Sequence, residues 1–218
     1  MLRKIFVCAL TLAALLVAGC GEEKVIGTPD KAVLAYSEII TQGESANLEA
    51  AGFSEEDNKN LRDIIVKIFA KPFEEAVPLS DETAQELAKI FYDNNKAKIN
   101  FQAKVKTEDL EQPVVELTTT PIDISNANKE LEKNTELFAL LGMVGKLRSD
   151  GATDELLKEN SEVQSLAVSA FRKYIDAIPI QEEKTAEIVC KKVTGTDGKI
   201  HWAPADAKLL TDFITGGN

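Results

Sequence analysis

Apolar and polar positions change their period several times along this chain, and each change marks an element. Residues 28–42 open with Thr28-Pro29-Asp30, a capping residue followed by proline at the first helical position. Val33, Leu34, Tyr36, Ile39 and Ile40 then give a helix with a wide apolar face, which Gly43 stops. A short helical piece is expected at 46–51. Ser54-Glu55-Glu56-Asp57 resembles a capping box and crowds acids at a helix start. Leu61, Ile64, Ile65, Ile68 and Phe69 follow at i, i+3, i+4, i+7 and i+8, one buried stripe. Pro72 and Pro78 bracket a break. Ser80-Asp81-Glu82 caps a third helix carrying Ala84, Leu87, Ala88 and Phe91, expected to end at Asp93-Asn94-Asn95.

At residue 96 the period becomes two. Ala97, Ile99, Phe101, Ala103 and Val105 alternate with Lys98, Asn100, Gln102, Lys104 and Lys106, which predicts a strand over 96–107 with one buried and one wet face. A turn at 108–112 and a return strand at 114–120 complete an antiparallel hairpin. A helix is expected over 126–148, with Leu131, Leu137, Phe138, Leu141, Val144 and Leu147. Gly142 and Gly145 lower its stability and so point to a close helix contact or a bend. Beyond Ser149-Asp150-Gly151, Thr153 caps a helix bearing Leu156, Leu157, Val163, Leu166, Ala170, Phe171 and Tyr174 that runs towards Pro179. A second hairpin pairs 185–193 with 199–202 through Gly195-Thr196-Asp197-Gly198, whose Asp-Gly is a strong turn signal. A last helix, 205–214, is ended by Gly216 and Gly217.

This order of elements predicts an α+β fold, helices packed on an antiparallel sheet built from two hairpins. Ala97/Ala186, Ile99/Ile188 and Val105/Val193 lie nearly the same distance apart. That spacing fits a duplicated unit with halves 28–122 and 126–218, and chance similarity among amphipathic elements explains it as well.

The beginning of the chain follows a different logic. Arg3 and Lys4 precede an almost uncharged apolar run at 5–17, and Val17-Ala18-Gly19-Cys20 closes it with small residues and a thiol. This is the tripartite layout of a secretory signal, and its last four residues resemble the lipobox of bacterial lipoproteins. The resemblance implies cleavage after Gly19 and a diacylglycerol thioether on Cys20. Residues 1–19 are then a signal peptide, 20–27 a lipidated tether and 28–218 a single domain, held to the extracytoplasmic face of a membrane through Cys20. A transmembrane anchor is one alternative, although about fifteen apolar residues fall short of the roughly 17–25 a span needs. A plain signal peptide with an incidental Cys20 is the other.

A second resemblance lies in the ends of the domain. The turn Thr196-Asp197-Gly198-Lys199, the strand ending at Trp202, and the short helix closed by Gly-Gly are similar to the finish of small bacterial lipoproteins with cystatin-like or nuclear-transport-factor-like folds. Pro29-Asp30-Lys31-Ala32-Val33 with Tyr36 resembles their start. Many such families are domains of unknown function. The resemblance implies a cone of helices against a curved sheet and carries over no catalytic residue; the helices within 126–178 depart from the minimal pattern.

Charge and candidate chemistry narrow the function classes. Removing residues 1–19 leaves 36 acidic against 23 basic side chains, a formal charge of −13. Such a surface repels nucleic acid, which is not expected as a partner. Once Cys8 is removed and Cys20 lipidated, Cys190 has no partner for an intramolecular disulfide. One histidine and no cysteine pair exclude the usual zinc sites, and the glycines form no phosphate loop or dinucleotide fingerprint. No cofactor is expected. Serine motifs of hydrolases are absent as well.

The residues left to consider are few. His201, beside Trp202, reads as a strand histidine near the surface, with Asp206 as the nearest acid; Cys190 alternates with Ile188 and faces the core. Most of the acid clusters at Glu22-Glu23, Glu55-Glu56-Asp57, Glu74-Glu75, Asp81-Glu82 and Glu182-Glu183 fit helix starts, and two of them could converge as a glycosidase-like pair. The row Lys96, Lys98, Lys104, Lys106 reads as a wet strand face or protected edge, or else an anion site. Trp202, Phe101 and Phe213 are candidates to line a ligand pocket, with Phe171 beside them. Together these features favour a lipid-tethered, non-enzymatic module that binds an envelope protein or a small molecule. An envelope hydrolase using converged carboxylates or His201, and a solute receptor for a transporter, are the alternatives.

Overall fold

The computed structural model describes residues 25–74, 76–123, 133–195 and 198–216. The expected signal, Cys20, Glu22-Glu23, the Thr196-Asp197 turn and Gly217 fall outside them. So do the side chains of Leu61, Ile64, Ile65, Ile68 and Phe69, although their helix is described.

Helix α1 (Pro29–Gln42) leads into a 3-10 turn (Leu48–Ala51), α2 (Glu55–Glu74) and α3 (Asp81–Lys98). Strands β1 (Phe101–Thr107) and β2 (Val114–Thr119) follow, then α4 (Thr135–Ser149), α5 (Asp154–Glu159) and α6 (Ser161–Asp176). Strands β3 (Lys184–Thr194) and β4 (Ile200–Pro204) and helix α7 (Ala207–Ile214) complete the order. All four strands form one antiparallel sheet in the order β1-β2-β3-β4. The two hairpins are therefore joined edge to edge through β2 and β3, with Leu117 opposite Ala186 and Val115 opposite Ile188. The α+β expectation holds.

Two cores flank α1. On the sheet side, Val33, Tyr36 and Ile40 pack with Val115, Leu117, Ile188, Cys190, Trp202 and, from α7, Leu210 and Ile214. On the helix side, Ile39 joins Leu87, Phe91 and Tyr92 of α3, Leu140 of α4, Leu157 of α5 and Phe171 and Tyr174 of α6. Phe53 and Phe101 touch both. Burial on both sides accounts for the apolar breadth of α1. Its interior polar residues are satisfied along the helix itself, Ser37 Oγ donating to Val33 O and Thr41 Oγ1 to Ser37 O, each at 2.8 Å.

Several elements differ from their sequence pattern for local reasons. The strand expected from residue 96 begins at Phe101, because α3 runs through Asp93-Asn94-Asn95 to Lys98. Asn95 is buried and its Nδ2 donates to Thr41 O at 2.9 Å, which ties the last turn of α3 to α1. Lys96 and Lys98 then sit at a helix C-terminus, where the dipole favours cations. Ala97 is consequently exposed and helical, while its counterpart Ala186 lies in β3. Helix α2 likewise continues past Pro72 to Glu74. Helix α4 starts at Thr135, where Asn134 accepts from Leu137 N and donates to Ala170 O. The part of the expected helix at 126–132, with Leu131, lies outside the described residues. The single helix expected after Thr153 is two: Asn160 interrupts it and caps α6, its Oδ1 accepting from Glu162 N and Val163 N at 3.1 Å. Gln164 secures the break by donating to Leu157 O and Pro78 O. Leu156, counted on the apolar face, is 55% exposed as a result.

Candidate functional site

The chain is pinned to the domain within the last residues of the expected tether, 20–27. Ile26 N donates to Ile200 O at 2.8 Å, forming a parallel bridge to the β4 edge, and Val25 packs on the sheet-side core. Gly27, at φ +74°, lies so close to Ala50 that a Cβ would come within 2.6 Å of its Cα. Helix α1 carries the fold away from this point over 14 residues, roughly 21 Å at 1.5 Å per residue.

At the far end of α1 lies a cleft between α2 and α3. Its larger chamber, about 660 Å³, is lined by Glu44 after α1, Lys59 and Arg62 of α2, and Lys89, Tyr92 and Lys96 of α3, among others. A second chamber of about 240 Å³ adjoins it, shares Asp63, Val66 and Gln85, and adds Lys67, Glu74 and Asp81. Helical periodicity explains the lining. Residues 59, 62, 63 and 66 form one face of α2, and 85, 88, 89, 92, 93 and 96 one face of α3. Both faces are largely polar, so the helices meet without closing.

Some charges in the cleft are committed within the protein. Glu44 binds Lys96 and lies 3.9 Å from Arg62, whose Nε donates to Gly43 O at 3.2 Å. The hydrogen bond from Lys96 holds the Glu44 carboxyl below the usual range, with the positive charges of Lys96 and Arg62 acting the same way. Lys89 pairs with Asp93 one turn on. Tyr92 is different: its ring is buried, and its hydroxyl has no hydrogen-bond partner among the described residues. Burial pushes its pKa above the ordinary phenol value, while the nearby Arg62 charge opposes that rise.

The residues singled out in the sequence fall elsewhere. Trp202, Phe101 and Phe213 all belong to the sheet-side core, Trp202 with Lys192 Nζ 6.0 Å from its ring centre. Phe171 is in the helix-side core. His201 is buried, not near the surface: a Cβ on Gly52 would come within 2.6 Å of its Cδ2, so glycine at φ +80° lets the turn close over the imidazole. The Asp206 carboxylate caps α7, accepting from Leu209 N at 3.0 Å. Cys190 is core-facing, and burial pushes its thiol up to about 12.

Of the lysine row, Lys96 serves the cleft, while Lys104 pairs with Glu116 and Lys106 with Glu187 across the sheet. Those two acids stand opposite each other in register, and the β1 lysines relieve their repulsion. Gly142 and Gly145 have open space where a close contact was expected. Among the acid clusters, Glu74 and Asp81 come together in the smaller chamber. The sequence did not single out Lys59, Arg62, Asp63 or Tyr92. Their spacing is visible, but only the tertiary structure shows that two solvated faces converge.

The sequence profile of DUF5105, a domain of unknown function, matches residues 22–213. The chain belongs to the DUF5105 family. Among solved structures, the DUF5105 domain is similar in fold to the "putative lipoprotein (ycdA)" of Bacillus subtilis subsp. subtilis str. 168, at 18% identity and a TM-score of 0.52. That match covers 84% of this chain and 55% of the Bacillus chain, so this chain corresponds to about half of that protein. No curated protein matches.

Proposed function

We propose that this DUF5105 protein is a lipid-anchored module of the cell envelope that binds a small molecule or an envelope protein and carries out no chemistry of its own. The observation that carries the reading is Val17-Ala18-Gly19-Cys20, closing an apolar run five residues before the chain is pinned at Val25. The family match, which starts just after Cys20, supports a boundary there. Five residues span at most about 18 Å, so an anchored Cys20 keeps the β4 edge near the membrane. The cleft, a helix length away along α1, is the binding site in this reading. No helix among the described residues is long and apolar enough to cross a membrane.

Metabolic labelling with an alkyne fatty acid, followed by detergent-phase partitioning, tests the anchor. The full chain is expected to take the label and enter the detergent phase, and Cys20→Ala to do neither. A Cys20→Ala variant that remained membrane-bound would sink the reading.

A second reading, an envelope hydrolase using converged carboxylates, draws on Glu74 and Asp81 sharing a chamber. Activity on envelope glycans that disappears in Glu74→Gln and Asp81→Asn would favour it.

A further inference from the structure

The cleft is polarised along its length. Around the larger chamber Lys59, Arg62, Lys89 and Lys96 stand against Glu44, Asp63 and Asp93, a slight positive excess in an acidic domain. Around the smaller one, Asp63, Glu74 and Asp81 face Lys67 alone. Within this pattern, the uncommitted groups have opposite signs. Among the described residues Lys59 and Asp63 make no ion pair, and Arg62, whose Nε is held by Gly43 O, lies 3.9 Å from Glu44. The Tyr92 hydroxyl, buried near the Arg62 charge, is an orphan donor at the positive end. An unpaired buried hydroxyl in a chamber that a guanidinium also lines favours a ligand that carries an acceptor anion. The apolar parts of Val66, Ala88 and Tyr92 line the floor between the ends.

We propose that this cleft binds a short zwitterionic peptide, its carboxylate at Arg62 and Tyr92 and its ammonium towards Glu74 and Asp81. The inference rests on the binding-module reading and names the ligand class of its site. Two unlike charges held at opposite ends of one cleft select a ligand carrying both, whereas a simple anion leaves the acidic end unsatisfied. The joined chambers, about 660 and 240 Å³, provide the volume of a few residues in extended form.

Isothermal titration of the full chain in detergent micelles with tri-alanine tests it, beside N-acetyl-tri-alanine and tri-alanine amide. Tri-alanine is expected to bind, with each capped form at least tenfold weaker. Tyr92→Phe, which keeps the ring and removes only the hydroxyl, is expected to weaken tri-alanine several-fold; Arg62→Gln should weaken it more and leave unfolding by circular dichroism unchanged. No binding at millimolar peptide, equal binding of free and capped peptides, or wild-type affinity in both variants would each overturn the proposal. Fatty-acid labelling of the same preparation separates the two readings, because a labelled chain that ignores the peptide defeats the ligand class alone.

Discussion

The two sides of α1 solve different problems with the same helix. On the sheet side, Leu117, Ile188 and Cys190 are sealed beneath Val33, Tyr36 and Ile40, and even the thiol is held neutral by burial. Beyond the other end of α1, the polar faces of α2 and α3 meet over an open cleft with a buried hydroxyl left over. Alternating strands supply apolar side chains at every second position, and a helix laid across them closes the gap. Two helices with charged facing stripes cannot close, because full burial would strip water from groups that lack partners. Stability therefore gathers on one side, and space for a ligand on the other.

Deep truncation should separate the two sides most. Leu117→Ala on the sealed side is expected to cost about 2–5 kcal/mol, and Val66→Ala at the cleft about 1 kcal/mol or less, by urea unfolding. Equal losses would erase the distinction. Next comes the turn over His201: Gly52→Ala adds a Cβ at positive φ within 2.6 Å of the imidazole. The strain should cost on the order of 1–3 kcal/mol and lower the melting temperature. Asn160→Ala removes the cap that breaks α5 from α6 and should cost about 1 kcal/mol. Its test is the same unfolding curve, together with peptide affinity, which is expected to stay unchanged because Asn160 lies outside the cleft.

The smallest effect is a slope. Because burial raises the Cys190 pKa from the ordinary thiol value of 9.0 to about 12, the folded state keeps a proton that the unfolded chain loses first. The contribution is intact below pH 9 and falls away as pH rises towards 12. Tyr36 and Tyr174, also raised to about 12 by burial, add to the alkaline loss. Stability measured from pH 8 to 11 should decline less steeply in Cys190→Ala than in the wild type. Parallel curves would mean that the thiol is not sealed as its burial indicates.

Periodicity in the sequence was enough for the hairpins, the α+β class and the core-facing side of Cys190, because strand and helix periods depend on neighbours a few residues apart. Local signals also marked where α1 and α3 begin, a proline at the first helical position for α1 and the Ser80 cap, accepting from Thr83 N, for α3. The end of α3 was not legible, since Asn95 finds its acceptor on Thr41, more than fifty positions earlier. The break at Asn160 is held partly by Pro78 and Ser80 from another element. His201 shows the same limit: its strand was readable, while its burial depends on Gly52 folding over it.

The cleft is the clearest case. Each of its two faces is written in the chain as an ordinary solvated stripe at helical spacing. The sequence by itself determined most of the elements, the sign of the net charge and the lipobox-like pattern Val17-Ala18-Gly19-Cys20. The tertiary structure alone decided which stripes meet, because α2 and α3 are brought together in the helix-side core that Phe73 shares with Leu87 and Phe91. Convergence of polar groups from two helices is a long-range result, and local pattern has no means of encoding it.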